Sequence, residues 1–127
     1  LVTAIAPVSG LMPMEDASSE CSPNHSTSVM IFNGTNDGSR PYNGIQGYMM
    51  SVDSTVAYWS QYNNTDSSPQ TNVVGNIENY TYLNGDNNSS VDLFKLVNGD
   101  HVWFNLSYNG NSMEQLMWNF FSQHSSD

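Results

Sequence analysis

The stretch SVMIFNGTND at residues 28–37 is an apolar run that passes directly into a polar cluster carrying a carboxylate. A second stretch, VDLFKLVNGDH at residues 91–101, repeats this arrangement and ends on an imidazole. Short apolar runs bounded by turn residues are typical of buried strands, and in open α/β sheets the reactive groups collect just beyond the carboxyl ends of the strands. We therefore expect Asp37 and His101 to lie close together at one edge of a sheet.

Length and composition favour a single domain with a core of its own, since the chain has 127 residues. Twelve acidic and two basic residues give a net charge of -10, which disfavours nucleic acid and anionic lipid surfaces as partners. A low charged fraction of 11% with 12% aromatic residues indicates a packed core under a polar, uncharged surface. No apolar run approaches the roughly 18 to 20 residues of a membrane-spanning helix, so we expect no membrane partner.

The first half of the chain predicts two strands and a helix. Residues 1–6 form a continuous apolar run typical of an interior parallel strand, and residues 12–27 predict a Pro/Ser-rich loop. Residues 29–32 predict a second buried strand. Apolar side chains recur at helical spacing within residues 51–62, where Ser51 is placed to cap the helix.

The second half predicts a ribbon and a final helix. Residues 63–76 are polar and predict a loop, whereas residues 77–83 and 91–97 predict a hairpin at the sheet edge. A capping pattern at Ser112 opens a helix whose apolar face holds Met113, Leu116, Met117 and Phe120. The fold class predicted is α/β, with a mostly parallel sheet, an edge ribbon and two main helices forming part of a three-layer α/β/α sandwich.

Four segments of the chain carry a family resemblance: AIAPVSGLM at 4–12, IFNGTND followed by PY at 31–42, SVDSTVAYW at 51–59 and VDLFKLVNGDHVW at 91–103. In this order they resemble the C-terminal half of the secreted esterases grouped with polyhydroxybutyrate depolymerases and feruloyl esterases, which have the α/β-hydrolase fold. The resemblance implies that residues 1–127 form a single partial domain, the C-terminal portion of that fold, and that the protein is secreted.

The resemblance also implies roles for particular residues. Asp37 corresponds to the acid of a Ser-Asp-His triad and His101 to its base, while the nucleophilic serine belongs to sequence before Leu1. The family usually has a glycine before the histidine and a Thr-Trp-Pro-Gly-like stretch after it; Asp100 and the segment VWFN at 102–105 stand there instead. Since apolar and aromatic groups line most small-molecule sites, Tyr42 and Trp103 are expected to bind substrate, with core packing or plain exposure as the alternative.

Each candidate has a simpler interpretation. Asp37 lies in turn-forming sequence, and a lone histidine such as His101 is by default a surface or core residue. Ser9 precedes Gly10 but lacks the glycine two places ahead that a nucleophile elbow requires, so it is expected to form a turn. Cys21 is the single cysteine, which excludes an internal disulfide and leaves a partly buried thiol or half of a disulfide in a longer parent.

Further titratable groups carry no prediction of a site. His25 and His124 are expected to face solvent, and the acidic residues Glu15, Asp16 and Asp86 do not match a calcium loop. We therefore expect neither a metal nor another cofactor.

The leading hypothesis is the C-terminal fragment of a secreted serine carboxylic-ester hydrolase, which holds the acid and base but no nucleophile and is therefore inactive alone. The alternative is a non-catalytic binding or assembly module on an α/β-hydrolase scaffold. A third hypothesis is a carbohydrate-binding domain that uses exposed tryptophan and tyrosine side chains. An exposed sheet edge or helix face in such a fragment predicts a homodimer.

Overall fold

The computed structural model describes residues 2–14 and 24–125. In chain order its elements are β1 (Ala4–Ile5), β2 (Ser28–Gly34), α1 (Val52–Asn63), β3 (Gln70–Val74), β4 (Ile77–Tyr82), a short 3-10 turn (Asp86–Asn88), β5 (Val91–Leu96) and α2 (Met113–Gln123). The prediction of an α/β chain with two main helices is confirmed. Cys21 and the acidic pair Glu15 and Asp16 lie outside the described residues.

The five strands form one sheet in the order β1-β2-β5-β4-β3. β1, β2 and β5 run parallel to one another, whereas β4 pairs antiparallel with both β5 and β3. The sheet is therefore mixed, and the prediction of a mostly parallel sheet was wrong because the ribbon contributes as many strand pairings as the parallel half. The predicted hairpin between β4 and β5 is confirmed.

β3 occupies part of the segment predicted to be a loop. Its side chains are mostly exposed, so the segment has no apolar periodicity from which a strand could be predicted. The strand forms because Val74 pairs with Ile77 across a two-residue turn, in which Gly75 has a φ of 58°. A positive φ is the backbone conformation that tight hairpin turns require.

β1 is shorter and less buried than the interior strand predicted over residues 1–6. It comprises Ala4 and Ile5, both partly buried, and lies at one edge of the sheet. Its outer edge has no strand partner among the described residues.

The core has two halves because β2 is buried along its whole length. Met30 and Phe32 point to one face and pack with the apolar side of α2, while Val29 and Ile31 point to the other and pack with α1. The rings of Phe32 and Phe94 stack with centroids 4.8 Å apart. These two residues are register partners in β2 and β5, so this pair helps to hold the two strands in the alignment on which the site depends.

Both predicted helix caps are confirmed. The Ser51 hydroxyl accepts a hydrogen bond from the Ser54 backbone N–H at 3.0 Å, and the Ser112 hydroxyl accepts one from the Gln115 N–H at 3.2 Å. Such bonds satisfy backbone donors that the first turn of a helix leaves unpaired.

Candidate active site

The loops that follow β2 and β5 meet at the carboxyl ends of these adjacent parallel strands. The Thr35 N–H donates to the Leu96 carbonyl at 3.0 Å, and the Asn36 N–H donates to the Gly99 carbonyl at 2.9 Å. The Asn98 N–H in turn donates to the Thr35 hydroxyl at 2.8 Å. These hydrogen bonds hold the two loops together without any contribution from the side chains of Asp37 and His101.

Glycines permit this close approach. A Cβ atom at Gly34 would lie 2.2 Å from the carbonyl oxygen of Gly99, far inside van der Waals contact. Since that neighbour is backbone, it cannot move aside as a flexible side chain would. The glycine is therefore required for the loop spacing.

Asp37 is fixed by its own turn. Its side chain is fully buried, and its Oδ1 atom accepts hydrogen bonds from the backbone N–H groups of Ser39 at 2.8 Å and Arg40 at 2.7 Å. Its Oδ2 atom lies 2.8 Å from Nδ1 of His101. All three contacts favour a carboxylate over the protonated acid.

Burial opposes these contacts, because desolvation by itself raises the pKa of Asp37. Hydrogen bonds to the carboxylate lower the pKa by more than burial raises it; they come from the Arg40 N–H, the His101 ring and the Ser39 N–H. The pKa of Asp37 therefore lies below its ordinary value of 3.8. Asp37 is therefore ionised at neutral pH.

The two ring nitrogens of His101 differ in their contacts within the described part of the chain. With Nδ1 facing the Asp37 carboxylate, the proton of the neutral ring belongs on Nδ1, which leaves a lone pair on Nε2. Nε2 has no hydrogen-bond partner among the described residues, and the side chain is 45% exposed. The ring is thus oriented by a buried carboxylate and presents a basic nitrogen to solvent.

Two further contacts support the loop that carries His101. The Asn36 side-chain amide donates to the Asp100 carboxylate at 2.9 Å, and the Ser9 hydroxyl donates to the Val102 carbonyl at 2.8 Å. Ser9 has a φ of 55° and is buried, as suits a residue in a tight turn. Its hydroxyl contacts backbone and not the His101 ring.

The residues expected to bind substrate lie in two different environments. Trp103, two residues after His101 in the sequence, is 64% exposed. Tyr42 is buried against α1, its hydroxyl donates to Asp53 at 3.1 Å, and Lys95 Nζ lies 5.1 Å from its ring centroid. Burial and the Asp53 carboxylate raise the pKa of Tyr42. The structure thus brings Asp37 and His101 together, while the Tyr42 hydroxyl is bound to another carboxylate.

His124 was expected to face solvent, and that prediction was wrong. The ring is partly buried at the end of α2, with Nδ1 3.0 Å from the Ser28 hydroxyl and Nε2 3.1 Å from the Ser90 hydroxyl. Burial lowers its pKa below the ordinary 6.5. The apolar stripe Met113, Met117, Phe120 continues at helical spacing to position 124, which is the signal that sequence reasoning missed.

His25 is likewise partly buried. Its Nε2 atom lies 3.0 Å from the Val2 carbonyl and its Nδ1 atom 3.2 Å from the Asn24 side-chain oxygen.

Within residues 2–14 and 24–125, no three side chains of His, Cys, Asp or Glu are grouped so as to hold a metal ion. In the same part of the chain, neither helix has the length and apolar character needed to cross a bilayer. In comparisons with known proteins, no protein-family model and no curated protein sequence matches this chain.

Proposed function

We propose that this chain is the acid–base portion of a secreted serine carboxylic-ester hydrolase with an α/β-hydrolase fold, similar to polyhydroxybutyrate depolymerases and feruloyl esterases. The observation that supports it most is the 2.8 Å contact between His101 Nδ1 and Asp37 Oδ2. The two groups follow adjacent parallel strands, with α1 and α2 on opposite faces of the sheet. That arrangement is compatible with the C-terminal portion of a three-layer α/β/α sandwich.

The chemistry follows from the free nitrogen of His101. A serine hydroxyl becomes a competent nucleophile when an imidazole accepts its proton as the oxygen attacks the ester carbon. The same imidazolium then returns the proton to the leaving alcohol. Asp37 keeps the ring in the required tautomer and stabilises the imidazolium, without taking the proton itself.

The serine is proposed to come from a separate segment of polypeptide, because no serine hydroxyl contacts Nε2 among the described residues. The oxyanion hole would come from there too, since in this fold its N–H donors adjoin the nucleophile and an early strand. Trp103, which is exposed and follows His101 by two residues, is proposed to border the ester that docks there. This chain on its own is proposed to have almost no esterase activity.

Expression of the coding sequence upstream of Leu1 together with this chain tests the proposal. The longer protein is expected to contain a Gly-x-Ser-x-Gly motif and to hydrolyse p-nitrophenyl butyrate or methyl ferulate. His101→Ala and Asp37→Asn are expected to reduce kcat by about 10⁴-fold, whereas the matched control His25→Ala leaves it unchanged. An upstream sequence without the motif, or full activity in His101→Ala, would refute the proposal.

The alternative is a non-catalytic binding or assembly module on an α/β-hydrolase scaffold, compatible with the observation that no serine hydroxyl contacts His101 Nε2 among the described residues. It predicts a start codon and signal sequence directly before Leu1 and no ester hydrolysis by the natural protein. The two hypotheses therefore separate on the same expression experiment.

A further inference from the structure

The imidazole of His124 joins the end of α2 to two neighbouring strands. His124 is the C-cap of the helix. Its Nδ1 atom lies 3.0 Å from the Ser28 hydroxyl at the start of β2, and its Nε2 atom lies 3.1 Å from the Ser90 hydroxyl just before β5. Among the described residues, no side chain within α2 itself makes a hydrogen bond to a strand. The polar attachment of this end of the helix therefore depends on one ring.

The hydrogen bonds of Ser28 decide which nitrogen of His124 carries the proton. Ser28 is 1% exposed, and its Oγ atom already accepts a hydrogen bond from the Ser90 N–H at 3.1 Å. Within the described part of the chain, the Ser28 hydroxyl has Nδ1 of His124 as its acceptor. Because buried hydroxyls are nearly always paired, Ser28 donates to Nδ1. The neutral ring then carries its proton on Nε2, which donates to Ser90 Oγ, so His124 and His101 are opposite tautomers.

A proton on Nδ1 is incompatible with this arrangement. It would point at the proton of the Ser28 hydroxyl, which would have to rotate away from the ring. In the described part of the chain no second acceptor contacts that hydroxyl, so it would become a buried donor without a partner, which is destabilising. Burial of the ring opposes the cation as well and lowers the pKa of His124 below 6.5. Position and burial therefore both favour the neutral ring.

Few charged groups face His124 from the elements packed around it. Asp92 of β5 lines the cleft on one side of the ring, and His25, from the loop before β2, lines the cleft on the other side. The remaining residues that line these two clefts are uncharged. Burial raises the pKa of Asp92 even though Thr81 and Asn79 donate to its carboxylate. The surroundings therefore offer little compensation for a positive charge on the ring.

We propose that His124 is a pH-sensitive latch: the neutral ring holds the last turn of α2 on β2 and β5, and protonation releases that turn. In the released turn the ring reaches solvent, where its pKa returns toward 6.5. The latched state is therefore fully favoured above pH 6.5 and loses stability as the pH falls below that value. Phe120 is 4% exposed, and its ring centroid lies 4.6 Å from that of His124. Release would uncover this apolar side chain, independently of Asp37 and His101.

The test is an NMR titration of the ¹⁵N-labelled chain, combined with amide hydrogen exchange corrected for its intrinsic pH dependence. We expect the neutral His124 ring to be protonated on Nε2 and to titrate below 6.5. The protection of the amides of residues 121–124 is expected to fall about fivefold or more between about pH 7.5 and about pH 5. It should remain below that of the β5 amides, because the turn opens without unfolding of the sheet.

Two serine variants separate the latch from simple packing. Ser28→Ala removes the donor to Nδ1 and is expected to raise the pKa of His124 toward 6.5. Ser90→Ala is the matched control, since it removes an acceptor that the neutral and the charged ring both use, and it is not expected to raise this pKa. His124→Gln keeps a neutral donor and acceptor at the end of α2, so the last turn should stay protected at about pH 5.

The ring measurements use the wild type, so they remain decisive if a variant fails to fold. A pKa of His124 at or above 6.5, or a neutral ring protonated on Nδ1, would overturn the proposal. So would protection at residues 121–124 that does not fall with pH, or that equals the protection of β5. His25→Gln and His101→Ala are expected to respond to pH as the wild type does, and loss of the response in His25→Gln would assign it to the wrong histidine and overturn the latch.

Discussion

Replacing Asp37 by asparagine should remove the charge at the centre of the site while preserving its shape. Asparagine can still accept from the N–H groups of Ser39 and Arg40, but the charge-assisted bond to His101 is lost. Hydrogen bonds to charged groups contribute about 1.5 to 3 kcal/mol each. Because His101 is 45% exposed, solvent screening favours the lower end, so we expect a loss of about 2 kcal/mol in the free energy of unfolding at pH 7.

The pH dependence of this loss has a definite sign. The folded-state pKa of Asp37 lies below its ordinary value of 3.8, so the stabilisation is complete above the unfolded-state pKa and disappears as the pH falls through the folded-state pKa. Urea unfolding of wild type and Asp37→Asn should therefore differ at pH 7, and the difference should shrink as the pH falls past 3.8 and vanish only below the folded-state pKa of Asp37.

Asp100→Asn is the matched control, because Asp100 is exposed beside His101 in the loop after β5 and accepts one bond, from the Asn36 amide. Its cost is expected to be under about 0.5 kcal/mol. In the ¹⁵N spectrum, Asp37→Asn should also shift the neutral His101 ring away from the Nδ1-protonated tautomer. Equal stability of wild type and Asp37→Asn at pH 7, or a difference that does not shrink at all between pH 7 and pH 3, would refute the reasoning.

Three more expectations concern loop spacing, pH response and self-association. Gly34→Ala should cost about 1 to 3 kcal/mol and abolish the Nδ1-protonated signature of His101, whereas Gly38→Ala, with open space around it, should not. Since the folded-state pKa of His124 lies below 6.5, stability should be complete above that pH and decrease below it, and urea unfolding of His124→Gln should show a smaller decrease. We also propose a homodimer through the outer edge of β1 or the exposed Trp118 and Phe121 of α2; light scattering that shows monomers at high micromolar concentration would contradict it.

The elements that could be predicted from sequence are those whose signal is local. Ser51 and Ser112 mark helix starts because a side-chain oxygen satisfies an N–H three residues later. β2 and β5 are apolar because they are buried, so their positions were also predictable. β3 has exposed side chains, and its pairing depends on the turn at Gly75 and on β4, which composition does not reveal. The extent of β1 was overestimated because an apolar run does not specify how much of it pairs.

The same distinction applies to the candidate site. The proximity of Asp37 and His101 was predictable from two strand ends, because parallel neighbouring strands place their following loops at one edge of the sheet. The buried position of Tyr42 depends on its contact with Asp53 in α1, 11 residues away, and no local pattern encodes it. The partly buried position of His124 could be predicted only by extending the apolar stripe of α2 beyond Phe120.

The geometry of the Asp37–His101 pair is thus determined by contacts within this chain and does not require a nucleophile to be present. The stacked Phe32 and Phe94 support the register of β2 and β5, the glycines allow their loops to touch, and the Asp37 turn directs one carboxylate oxygen at His101. The backbone contacts between the two loops do not involve the imidazole. We therefore expect His101→Ala to leave the Asp37 turn intact and to cost less stability than Gly34→Ala. A site assembled in this way would need a nucleophile to arrive only at Nε2, the ring nitrogen that has no partner within residues 2–14 and 24–125.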